Sequence, residues 1–187
     1  MEHKHCAEYE HIRLRPLGIN DIELLRKWRN DAAYSKFLRP IGTITAEMQR
    51  AWFDKYLSDP SNITFAIEEI RDLNRVVGSV SLYDFDGTTA EVGKIVVGDP
   101  EAKGKKIGFY ALLLAMHLGY QKLGIENFRG EVHEDNLPAK TIDMRLGFVI
   151  TGKHPFTNGG YELDMILPKD HFGATHNFLN DIKLYEV

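Results

Sequence analysis

The chain has 187 residues, 43% of them hydrophobic, and a formal net charge of −4. That length suffices for one domain with a substantial core, and the slightly acidic balance argues against a nucleic-acid binder, which presents a basic face. The one cysteine, Cys6, excludes an intramolecular disulfide and fits a cytoplasmic setting. The first residues are polar and mixed in charge, unlike a signal peptide. The longest uncharged apolar run, 107–116, is too short to span a bilayer. Residues 1–10 are therefore expected to form a flexible N-terminus and 11–187 a single domain, away from membranes.

The predicted elements run in the order β-α-α-β-β-β-α-β-α-β-β. Residues 11–17 (HIRLRPL) alternate apolar and polar side chains, as a strand does. Asn20, with Glu23 three residues on, predicts a helix start close to a capping box, and that helix ends near WRND. Thr45 predicts the cap of a second helix with Met48, Trp52, Phe53 and Tyr56 on its apolar face. Strands are expected over 64–70 and 76–83, the latter turning at Asp86-Gly87 into a hairpin with 90–97. A long helix follows over roughly 105–122, stopped by Gly124. Then come a strand over 127–133, a helix over 137–146 stopped by Gly147, and a hairpin of 148–154 with 161–167. The tail from Pro168 has weak periodicity and yields no prediction.

The junction before the long helix reads DPEAKGKKIG (99–108). A helix start leaves backbone N–H groups unpaired at the positive end of the dipole, and an anion such as phosphate is its natural guest. Gly104 and Gly108 let a ligand approach the backbone, and Lys103, Lys105 and Lys106 add charge. Neither the P-loop string nor the G-x-G-x-x-G fingerprint is present.

This turn after a strand, followed by a long helix, a strand, then Asn136-Leu-Pro-Ala139 and Leu146-Gly-Phe148, resembles the GNAT superfamily of N-acetyltransferases. The opening IRLRPLGINDIELLRKWRND, with FAI and VGSVSL, is similar to it as well, so the resemblance covers about 11–167. It implies a mixed α/β fold with a mostly antiparallel central sheet, a splayed strand pair and flanking helices. It also implies acetyl-CoA as cosubstrate. Its pyrophosphate would lie on the backbone of Lys103, Gly104, Lys105, Lys106, Ile107 and Gly108, and its pantetheine arm along Ile95, Val96 and Val97. Asn136 would hold a pantetheine carbonyl, while its residue type also suits the N-cap of the next helix. Two departures stand out. Lys103 replaces the usual Gln or Arg, and Lys106 replaces the usual first glycine.

The resemblance implies direct transfer to an amine. Glu91 is the expected base and His133 the alternative, since a carboxylate of raised pKa or an imidazole can take the ammonium proton. The backbone N–H of Val96 or Val97 would face the oxyanion. Asp143 stands where relatives often place a tyrosine for the leaving thiolate, and its plain reading is an exposed helix residue. Arg29, Asn30 and Tyr34 are expected at the acceptor pocket. The acceptor is expected to be a small-molecule amine such as an amino sugar or its nucleotide. The alternatives are a protein N-terminus, a polyamine, or a CoA-binding domain without catalysis. A homodimer is compatible with this, and no metal is expected from His3, His5, Cys6 and His11.

Overall fold

The computed structural model describes residues 3–39, 41–175 and 179–187. The elements are β1 (His5–Tyr9), β2 (Ile12–Pro16), α1 (Ile22–Asn30), α2 (Ala32–Ser35), α3 (Ala46–Ser58), β3 (Asn62–Glu69), β4 (Arg75–Asp86) and β5 (Thr89–Val97). They continue with α4 (Ile107–Lys122), β6 (Asn127–His133), α5 (Leu137–Leu146), β7 (Val149–Pro155), β8 (Tyr161–Pro168), α6 (Lys169–Thr175) and β9 (Lys183–Glu186). Single 3-10 turns stand at Pro100–Ala102 and Leu179–Asp181. The strands form one sheet in the order β7-β8-β6-β5-β4-β3-β2-β1-β9. The β5/β6 pair is parallel and the other strand pairs among the described residues are antiparallel. The expected mixed, mostly antiparallel sheet with flanking helices is therefore what the chain builds.

Alternation along the strands gives the sheet two unlike faces. One carries Phe65, Ile67, Val80, Leu82, Val92 and Phe128 and packs under α4, which is buried from Ala111 to Tyr120. That helix is apolar all round because it lies between sheet and helices, as a fully buried helix must. Gly119 lets it come close, since a Cβ there would fall 2.5 Å from the Phe128 ring. The other face carries Ala66, on which Leu17 (just after β2), Ile22 from α1, and Phe53 and Tyr56 from α3 pack. Farther along that face the residues turn polar, and there the candidate site lies.

Three local expectations need correction. The N-terminus is not flexible over residues 5–9, where β1 pairs with β2 and β9 and buries Cys6 and Ala7. Its partner β9 comes from the far end of the chain, so no local pattern announced it. Asn20 does not cap α1. Asp21 precedes the helix and makes no side-chain cap, because its carboxylate accepts from Arg15 at 2.7 and 2.9 Å and from the Gly18 N–H at 2.8 Å. In α3 the Thr45 cap holds, Oγ1 accepting from the Met48 N–H at 3.2 Å, but the buried face is Gln49, Phe53 and Tyr56, with Met48 and Trp52 exposed. Among the described residues, no helix is long and apolar enough to cross a membrane.

Candidate active site

β5 is irregular on both edges. Toward β6 it pairs only from Thr89↔Asn127 to Glu91↔Arg129, whereas β6 keeps its pairing with β8 up to His133↔Glu162. The two strands therefore splay beyond Glu91 and leave the edge at Ile95, Val96 and Val97 open for an added strand. Toward β4, Ser79 faces Val96 and Ser81 faces Gly93, so β5 carries one extra residue. This is a β-bulge, with Lys94 in the left-handed region at φ 49°.

The strand runs into the α4 entrance. Asp99 accepts from the Glu101 N–H at 2.9 Å and is held by Arg75 at 2.7 Å, which fixes the turn. Arg75 first, against burial, keeps that carboxyl below its ordinary range. Gly104 has φ 79°, and Lys106 stands at φ 57° just before the helix, with no side-chain cap. Lys106 thus adopts the backbone that favours glycine, and its side chain is exposed. The first turn bond runs from the Tyr110 N–H to the Lys106 carbonyl, while the Lys103 and Lys105 N–H groups turn back to the Pro100 and Ala102 carbonyls, so the N–H groups of the first helical turn are the ones left for a ligand. The three lysines differ. Lys105 is bonded to Asp72 and its carbonyl accepts from His11 Nε2 at 2.9 Å, whereas Lys103 and Lys106 are exposed. An open strand edge leading to an uncapped helix start is a cradle that fits acetyl-CoA, amides along the edge and pyrophosphate at the helix.

The opposite face beside the splay is acidic. Glu91 is half-buried and sits across from Tyr83 on β4. Burial first, and then the Glu91 carboxylate, push the Tyr83 phenol up. A Cβ at Gly93 would come 3.2 Å from the Tyr83 hydroxyl, and the Lys94 ammonium lies 3.5 Å from the Tyr83 ring centroid. Next along the face stand Glu131 and Glu162. Burial pushes the Glu131 carboxyl up, and Glu162 and Glu91 add to this. Arg39, from the segment before α3, reaches Glu131 at 2.9 Å and Glu162 at 3.6 Å. His154 faces Glu162 at 3.5 Å and Asp164 at 3.1 Å. The ligand-type atoms of Glu131, His154 and Glu162 lie within 4.8 Å of one another, and the Arg39 guanidinium meets the two carboxylates there.

The roles expected of His133 and Asn30 do not fit this geometry. His133 is buried with both nitrogens engaged: Nδ1 accepts from the Asp135 N–H at 3.2 Å, which leaves Nε2–H to donate to the Gly159 carbonyl at 3.1 Å. No lone pair remains to serve as a base. Asn30 is committed to Ile44, donating to its carbonyl at 2.9 Å and accepting its N–H at 2.8 Å, so it organises the loop instead of meeting an acceptor. Arg29 donates to the Arg39 carbonyl at 3.1 Å. Tyr34 is half-buried on α2. Asn136 caps α5, accepting from the Ala139 N–H at 3.4 Å. Asp143 is not an exposed residue: it is half-buried, and desolvation pushes its acid up to about 7. Tyr83, Lys94 and Glu162 were missed by sequence reasoning, since only strand register brings them together.

The family model described as an acetyltransferase (GNAT) domain matches residues 11–149. Over 141 residues the chain is 29% identical to an N-acetyltransferase 9-like protein of Caenorhabditis briggsae, covering 68% of each. Over 112 residues it is 27% identical to one of Nematostella vectensis, covering 54% of each. The chain thus spans between half and about two thirds of the length of these curated relatives. Among solved structures it is similar to a spermidine N-acetyltransferase from Vibrio cholerae in complex with CoA and spermine, at TM-score 0.78 and 19% identity, covering 87% of this chain and 98% of that one. It is also similar to an aminoglycoside acetyltransferase in complex with coenzyme A, at TM-score 0.73 and 16% identity, covering 88% and 98%. At those identities the likeness shows the fold. With most of the chain matched by the family model, a splayed strand and an uncapped helix start in place, the protein belongs to the GNAT acetyltransferases and is an acetyl-CoA-dependent N-acetyltransferase.

Proposed function

We propose that the protein transfers acetyl to a primary amine of a small cationic acceptor, by direct attack and without a covalent enzyme intermediate on the path. The observation that carries this reading is the row of carboxylates Glu91, Glu131 and Glu162 on the sheet face beside the splay. An ammonium group gains from such a face, and a phosphorylated sugar does not. An amino-sugar nucleotide would need guanidiniums to meet its phosphates, and those of Arg29 and Arg39 are turned to a carbonyl and to carboxylates. A cationic amino sugar or a polyamine fits better. Two structural neighbours are named for acceptors of these kinds, spermidine and aminoglycosides.

In this reading Glu91 takes the acceptor proton, directly or through a water. The open edge at Ile95, Val96 and Val97 binds the pantetheine amides, and a Val96 or Val97 N–H faces the developing oxyanion. The backbone from Gly104 to Gly108 holds the pyrophosphate, with Lys103 and Lys106 adding charge. Asn136 contributes as a cap that fixes α5. Asp143, with its acid near neutral, suits proton delivery to the departing sulfur. Tyr34 lines the approach with the Arg39 segment.

The test is thiol release from acetyl-CoA against spermidine, an aminoglycoside, an amino-sugar nucleotide and a short peptide. The cationic amines should exceed the nucleotide in kcat/KM by about tenfold or more, as one to two charge contacts allow. A preference for the nucleotide would overturn the acceptor class. A preference for the peptide amine would move the reading to protein N-terminal acetylation.

A further inference from the structure

Lys94 is the extra residue of the β5 bulge, and nothing in the transfer reaction assigns it a task. Its left-handed backbone breaks the strand alternation and sends its side chain to the acceptor face. There the Tyr83 ring lies across Gly93, and the Lys94 ammonium covers that ring at 3.5 Å from its centroid. Among the described residues no carboxylate comes within ion-pair distance of Nζ, although Asp84, Glu91 and Asp59 attract it and Arg39 repels it from further off. Desolvation holds the ammonium below its ordinary range, which raises the share of free amine. Other lysines near the cofactor cradle are differently placed. Lys105 is bonded to Asp72, and Lys103 and Lys106 lie in solvent at the α4 entrance. Lys94 alone of these four stands between the proposed base, Glu91, and the open edge at Ile95.

We propose that Lys94 is an internal acetyl acceptor: in the absence of an amine substrate, the enzyme acetylates its own Lys94 Nζ from acetyl-CoA. The inference rests on the assignment of the Glu91 face as the acceptor side. The Nζ lone pair attacks the thioester carbonyl carbon, the N–C bond forms and the C–S bond breaks. Coenzyme A leaves as the thiol, and one proton is released overall, Glu91 being the nearest carboxylate on the same strand to pass it to water. The product is a neutral amide in place of a cation. It leaves the acidic face with one positive charge fewer, and so a more attractive surface for a cationic acceptor.

The experiment incubates the purified full chain with acetyl-CoA and no amine, and follows acetyl addition by intact mass and peptide mapping. Lys94 should be acetylated at least about tenfold faster than Lys103 and Lys106 in the same molecules, because it is held beside the bound thioester. Heat-denatured protein should lose that preference, and Glu91→Gln should slow it. Lys94→Arg should lose the fast addition while keeping its thermal shift with CoA. Equal rates at the three lysines, or the same preference in the denatured chain, would overturn the proposal. The outcome is separable from the acceptor assay. Fast Lys94 acetylation with no turnover of cationic amines would sink the acceptor reading alone, and turnover with an inert Lys94 would sink this one.

Discussion

Glu91 and His133 show how a residue's partners decide its role. Both were candidate bases, and both stand on strands at the splay. His133 spends its two nitrogens on backbone groups, and its ring lies between Phe37 and Phe156, with centroids 5.3 and 5.1 Å away. Glu91 keeps its carboxylate on the acidic face. Glu91→Gln should lower kcat by about 10²–10⁴ while the denaturation midpoint stays near wild type, as loss of a general base without loss of packing requires. His133→Ala should do the reverse, costing about 1–3 kcal/mol because the Asp135 N–H and the Gly159 carbonyl lose their partner. Its pH–rate profile should keep the wild-type shape. A lost acidic limb in that profile would restore His133 as the base. The contrast also marks what single residues announced. Thr45 and Asn136 cap helices within three residues of themselves, so local sequence was enough to place them. Asn30 binds Ile44, 14 residues on, and His133 binds Gly159, 26 residues on, so neither commitment was legible.

At the scale of elements, the α4 entrance combines a good prediction with an unforeseen strain. The strand, turn and long helix were readable from DPEAKGKK and the apolar run behind it. The left-handed Lys106 was not, because a lysine gives no sign of positive φ. A non-glycine residue there costs roughly 1–2 kcal/mol. Lys106→Gly should therefore not destabilise the protein, and should raise its stability by up to about 1 kcal/mol, since the relieved strain exceeds the added chain entropy. Urea unfolding of the two proteins decides this, and a clear loss would mean that the lysine side chain holds the turn. Gly119 sets the opposite case within the same helix. A Cβ there would meet Phe128 at 2.5 Å, against a ring that Tyr120 also contacts edge-on. Gly119→Ala should cost about 1–3 kcal/mol as an overpacked core contact, despite the better helix propensity of alanine. A stabilised variant would show that α4 can shift away from the sheet.

The whole molecule closes its sheet with its two ends, since β1 lies between β2 and β9. This arrangement was invisible in the sequence, where residues 1–10 look like a polar lead and the tail has no period. It also places His3 where a surface residue was expected. His3 is buried, its Nε2–H donates to the Thr64 carbonyl at 3.3 Å, its ring meets Phe65 at 4.8 Å, and Nδ1 has no partner among the described residues. Burial therefore lowers its pKa to about 4 from 6.5, with the Thr64 bond opposing and His5 adding to the shift. In the unfolded chain His3 takes a proton near its ordinary pKa, whereas the folded protein refuses it until about pH 4. The His3 contribution to stability must then fall as pH drops from about 6.5 to about 4, by roughly 3 kcal/mol at the limit, and level off below. Asp143 acts in the same window with the opposite sign, since desolvation raises its acid to about 7 and the folded protein takes that proton first. Glu69 is desolvated, yet its bonds from the Leu73, Asp72 and Arg71 N–H groups hold its carboxyl below its ordinary 4.5, so its stabilisation is lost only as pH falls through that lowered value. His3→Gln keeps a donor for Thr64 and removes the titration. Between pH 7 and 5 the wild-type urea midpoint should fall relative to that of the variant, in which His117 and Asp143 still titrate. Parallel declines in the two proteins would mean that the imidazole reaches water and that the terminal strand does not seal it.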